Sequence, residues 1–135
     1  MSPKLRILIP LLIITGFVLY TWALIVLEGY PHSMQKDLAL ILLIVLHYFY
    51  FTRRNWCVVF TGIYLLLLTF NLLSITPATT SHSLGIGPVE HRVYTPAIQF
   101  IGLGILVLYG ILNFDQLTEM YLDYKEAKAK KKEEK

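Results

Sequence analysis

Four apolar blocks set what this chain can fold into. Each is at or near the length that crosses a bilayer, and none carries a charge in its middle. A hydrocarbon core of about 30 Å takes about 20 apolar residues as a helix, and inside it every main-chain N–H and C=O must find an internal partner. The blocks cover residues 7–27, 38–51, 56–75 and 97–112. The second is only 14 residues long, but a first turn capped by the Ser33 hydroxyl extends it to about 36–52. Apolar residues make up 56% of the 135, with a mean hydropathy of +0.58. A soluble domain runs at about 45–50%, and here the excess sits in the four blocks.

The predicted fold is therefore an all-α membrane protein, a four-transmembrane-helix up-down bundle with a short cytoplasmic C-terminal helix. The spans run over about 7–27, 36–52, 56–75 and 96–112, within a transmembrane domain of residues 1–113, and a charged tail occupies 114–135. The first block follows Lys4 and Arg6 as a secretion signal would. Its apolar run exceeds the roughly 7–15 residues of a signal core and lacks a small-x-small cleavage site, so it reads as an uncleaved span. Pro10 falls in the expected first turn of that span, where its missing N–H costs little. Gly29 and Pro31 end it. The link Thr52-Arg-Arg-Asn55 is short enough to make spans two and three antiparallel neighbours. Pro96 falls in the first turn expected for span four. In the tail, Phe114, Leu117, Tyr121 and Tyr124 recur at steps of three and four and share one helical face. Beyond Tyr124 the sequence reads as a solvated or frayed helix at best.

Lys and Arg bias sets the orientation. Ten of the twelve basic residues lie in the N-terminus, the link at Arg53 and Arg54, and the tail; the other two are Lys36 and Arg92. This places both termini in the cytoplasm and the loop at 76–96 outside. Short loops and the lack of an organelle signal favour a bacterial cytoplasmic membrane. The tail's six lysines are balanced by six acids, which argues against nucleic-acid binding.

The outer loop is where surface chemistry is expected. Its residues His82, Glu90, His91 and Tyr94 are candidates for recognition, with Asn71 and Gln99 beneath them in the outer half of spans three and four. Asn71, Gln99 and Tyr20 are read as a polar layer that hydrogen-bonds three spans together. His32, His82, His91 and Glu90 offer the imidazole and carboxylate groups that zinc takes, but without an H-x-x-H or H-E-x-x-H spacing. No metal or other cofactor is therefore expected. His47 lacks a second intramembrane histidine for haem and reads as an interfacial side chain among aromatics. The single cysteine, Cys57, excludes an intrachain disulfide and reads as a small apolar side chain facing lipid or a neighbouring helix. The absence of an intramembrane charge argues against a self-sufficient proton-coupled transporter.

Three functions fit this reading. The leading one is a non-enzymatic protein that binds other membrane proteins, as an accessory subunit, regulator or immunity factor, its partners being other subunits or copies of itself within the lipid bilayer. The second is an oligomeric channel or transporter with an outward polar cleft at Asn71 and Gln99. The third is a membrane enzyme or metal-binding protein using the external His and Glu residues.

Overall fold

The computed structural model describes residues 2–77, 81–82, 85–86, 93–94 and 98–133. Four helices carry the described part: α1 (Pro3–Glu28), α2 (Met34–Thr52), α3 (Arg54–Thr69) and α4 (Phe100–Glu133). Between α3 and α4 lie four two-residue strands, β1 (Ser81–His82), β2 (Gly85–Ile86), β3 (Val93–Tyr94) and β4 (Ile98–Gln99). They pair antiparallel as β1 with β4, setting His82 opposite Ile98, and as β2 with β3. Helices α1, α2 and α4 are long and apolar enough to cross a membrane, and α3 is a shorter apolar helix.

Helix α1 starts four residues before its apolar block. Ser2 is the N-cap, its hydroxyl accepting from the Leu5 N–H at 3.4 Å, and Pro3 occupies the first turn. Pro10 therefore lies in the helix interior and not in the first turn. There its missing N–H leaves the Arg6 carbonyl without its usual i+4 donor. That carbonyl is taken by the Asn113 side chain of α4, whose Nδ2 donates to it at 3.2 Å. The same Nδ2 also donates to Tyr109 O at 3.1 Å, and Asn113 is fully buried. Beside it, Arg6 and Asp115 form an ion pair at 3.1 Å. At its other end α1 closes on Gly29, whose φ of 68° is the left-handed conformation a glycine adopts without steric cost.

Helix α2 begins after Ser33, which has the extended backbone of an N-cap but makes no side-chain cap bond. Its main-chain carbonyl accepts from Lys36 N and Asp37 N instead. Arg53 alone separates α2 from α3. Helix α3 stops at Thr69, earlier than the expected 75. Asn71 adopts φ 61°, and the Leu72 N–H returns to Leu67 O at 2.9 Å while the Asn71 N–H reaches Leu68 O at 3.1 Å. That is a Schellman cap with asparagine in the left-handed place. Helix α4 starts at Phe100, after the expected 96, and runs unbroken for 34 residues, so the tail helix is continuous with the fourth block. No glycine or proline occurs after Gly110 to interrupt it, and Ala, Lys and Glu dominate its far end.

The core comes from one stripe per helix. Ile7, Leu11, Ile14 and Val18 face inward from α1, Ala39, Leu43 and Leu46 from α2, Val58, Leu65 and Leu68 from α3, and Ile105 and Tyr109 from α4. The steps of three and four are those of a helix packed along one seam. Cys57 is fully buried, its Sγ 3.8 Å from Leu46 O of α2. Two tyrosines cross between helices, Tyr64 donating to Ala39 O and Tyr109 to Val58 O. The opposite faces are apolar too. Leu12, Leu19, Ile41, Ile44, Ile63, Val107 and Ile111 point outward, a surface suited to hydrocarbon rather than water. Where α3 and α4 approach most closely, Gly102 lies against Leu68 and Thr69, and an added Cβ would meet the Leu68 side chain at 2.9 Å and the Thr69 nitrogen at 3.0 Å.

Two substitution sets test this packing through stability in mixed detergent micelles. Asn113→Leu is expected to cost about 1–2 kcal/mol, and the cost should shrink in a Pro10→Ala background, where position 10 again supplies an N–H to Arg6. Equal costs in both backgrounds would refute the pairing. Gly102→Ala should destabilise by about 1–3 kcal/mol through overpacking, while Gly104→Ala, with nothing within 4 Å of its added Cβ, should not.

Candidate functional site at the loop end of the bundle

Beyond the cap that closes α3 at Asn71 and Leu72, the chain continues outside the helix to Pro77. This stretch is nonetheless inside the protein: Leu73, Ser74, Ile75 and Thr76 are all buried. A buried non-helical stretch leaves carbonyls that need donors, and here the donors are side chains from the surrounding elements. Gln99, the last residue of β4, donates Nε2 to Asn71 Oδ1 at 2.5 Å and to Leu73 O at 2.9 Å. Gln35 on α2 donates to Asn71 O at 2.8 Å. Thr21 on α1 donates to Ile75 O at 2.6 Å, about two helical turns inside the end of α1. Lys36 on α2 donates its ammonium to Pro31 O at 2.5 Å and to Pro77 O at 2.9 Å. In return, Gln35 O accepts from Ser74 N at 3.4 Å. The segment is latched into the bundle by α1, α2 and β4.

Lys36 shows how far this goes. It is a lysine in the polar first turn of α2, yet only 5% exposed. A buried ammonium needs several oxygen acceptors to offset its lost hydration, and it receives two carbonyls that no helix uses. Gln99 is 1% exposed. Its Oε1 is buried without a hydrogen-bond partner among the described residues, as is Trp22 Nε1. Trp22 lies edge-on to the His32 ring at 5.8 Å, and His32 Nε2 meets Asp37 Oδ1 at 2.8 Å.

Of the residues singled out in the sequence, the structure brings Asn71 and Gln99 into direct contact. Tyr20 stands apart from them, 59% exposed on the outside of α1. His82 and Tyr94 lie in β1 and β3, and pairing of β1 with β4 sets the His82 backbone one residue from Gln99. Glu90 and His91 lie outside the described residues. His32 is engaged with Asp37, and among the described residues no three His, Cys, Asp or Glu side chains gather as a metal site would require. His47 is half-buried between α1 and α2, with Nδ1 2.9 Å from Leu43 O and Nε2 3.4 Å from Thr15 Oγ1.

Sequence reasoning missed the roles of Thr21, Gln35, Lys36 and Asn113. Gln35, Lys36 and Asn113 read as ordinary block edges and Thr21 as a polar neighbour of Tyr20, and what distinguishes these four is the unpaired carbonyl each one meets. For Asn113 a signal existed in Pro10, which advertises a carbonyl in need of a donor one turn earlier. Asn71 carried a second signal, since asparagine tolerates the left-handed cap conformation better than other non-glycine residues. In comparisons with known proteins, no family model, no curated protein and no solved structure matches this chain.

Two substitutions at one position separate the roles of Asn71. Asn71→Gly keeps the left-handed cap and loses only the acceptor for Gln99, an expected cost of about 0.6–1.7 kcal/mol. Asn71→Leu loses the acceptor and adds about 1–2 kcal/mol of left-handed strain. Denaturation midpoints that coincide for the two variants would show that the cap conformation contributes nothing.

Proposed function

We propose that this chain is a four-span, up-and-down helical bundle of a bacterial cytoplasmic membrane, which acts by docking on other membrane proteins. In this reading the α1 start, the Arg53 link and the α4 tail face the cytoplasm, and the latched segment with its strands faces outward. Hydrogen bonds support the antiparallel order. Arg6 and Asn113 meet at one end, and Thr21, Gln35 and Asn71 at the other. The basic residues at Lys4, Arg6, Arg53 and Arg54 gather at the first of these ends, as the positive-inside bias requires. Helix α3, at 16 residues, spans only about 24 Å. The buried segment that follows it extends the crossing with carbonyls already satisfied.

The observation that carries the docking reading is the length of α4. Its apolar part ends at Leu112, and residues 114–133 carry the helix on for about 30 Å. On the projecting part Phe114, Tyr121, Leu122 and Tyr124 are each more than half exposed, while Leu117 packs back on the bundle. Aromatic side chains standing on a rigid helix outside the bilayer are the kind of anchors that interfaces use.

Purification from mild detergent after crosslinking in cells tests this. A heteromeric complex is expected, and Phe114→Ser with Tyr121→Ser and Tyr124→Ser should lower its yield about tenfold without loss of helicity. A chain that purifies alone, and then conducts or transports in liposomes, would replace docking with the channel reading.

A further inference from the structure

We infer that the groove between α2 and α3 is a binding site for one anionic glycerophospholipid, with its phosphate at Arg53 and one acyl chain running over Phe60. Two cavities lie in this groove and share Phe60 as a wall. The first, about 380 Å³, is bounded by Tyr48, Thr52, Arg53 and Trp56 at the end where the two helices join. The second, about 120 Å³, continues between the same helices away from that join and is lined by Leu42, Val45, Ile63 and Leu67 with no charged side chain. The order from end to middle is thus cation, amphipathic aromatic rings, then hydrocarbon, which is the order of a phospholipid from its phosphate down.

Each part has a physical reason. Arg53 is exposed and makes no ion pair among the described residues, whose two ion pairs are Arg6–Asp115 and His32–Asp37. No acid lines either cavity. A guanidinium is planar and pairs with phosphate through two parallel N–H bonds. Trp56 and Tyr48 are the ring types that settle at headgroup level. The floor is preformed, since Phe60 stacks on Phe49 at 4.9 Å and lies 5.9 Å from Trp56. A phospholipid is favoured over a soluble anion because the apolar cleft continues the site toward the membrane interior. Arg53 is also fixed in place as the single non-helical residue between two packed helices. The inference rests on the membrane placement proposed above and is independent of what docks on the α4 tail.

The test uses Trp56 as reporter in a Trp22→Phe background, reconstituted in bilayers containing phosphatidylcholine or phosphatidylglycerol with brominated chains, which quench tryptophan on contact. Quenching by phosphatidylglycerol is expected at about fivefold lower mole fraction than by phosphatidylcholine. Arg53→Gln should remove that preference. Lys125→Gln with Lys128→Gln, which lowers the basic charge of the tail, should leave it intact. Equal quenching by both lipids, or a preference that survives Arg53→Gln or disappears with the tail variant, would overturn the site. No quenching by either lipid would overturn the membrane placement itself, and so the two failures are distinct.

Discussion

The structure depends on one constraint: a main-chain carbonyl that leaves a helical ladder inside an apolar bundle must be met by a donor. An unsatisfied buried carbonyl costs about 1–3 kcal/mol, a large share of the stability of a small domain. The ladder is left in this way at Pro10 within α1 and after Thr69 at the end of α3. Both are answered the same way, by polar side chains brought in from other elements. Asn113 serves the first, and Gln35, Lys36, Gln99 and Thr21 serve the second. Asn113, Gln35, Lys36, Gln99 and Thr21 thus each stand opposite a specific gap in the main-chain hydrogen bonding.

These interactions also determine how the two ends of the molecule differ. At the loop end a buried, non-helical segment is held from three sides, so the strands that follow it are carried on a fixed base. At the other end helices are joined by one residue or run on past the bundle, and the exposed groups are arginines, lysines, carboxylates and aromatic rings. Recognition of lipid and of a docked protein is placed there in our reading, while the described residues at the loop end support their own main chain.

The helical class and the apolar blocks were legible in the sequence, because length and composition carry them; the tail, expected as a separate short helix, is the continuation of α4. The Asn71–Gln99 contact was legible in part: both were read as polar residues of the outer half, but as one layer with Tyr20, which the structure leaves outside. Boundaries were harder. Residues 70–75 are as apolar as the helix before them, and apolarity alone does not tell a helix from a buried turn. What ends α3 is the left-handed conformation at Asn71, a local property that a pattern of hydrophobicity does not record. Conversely, the polar residues after Leu112 looked like the end of a helix, yet nothing in them breaks one. Lys36 was counted only as a charge in a loop. Its burial follows from the fold of two distant turns, at Pro31 and Pro77, and no window along the chain brings those together.

The pairing of Arg6 with Asn113 has a consequence for the order in which this protein is made. The two residues are 107 positions apart, so at about 5–20 residues per second the carbonyl exposed by Pro10 waits on the order of ten seconds for its donor. During that interval water and lipid headgroups must hold it. Helix α1 is thus made well before α4 yet is completed only when α4 arrives, and its closing onto the bundle waits on that helix.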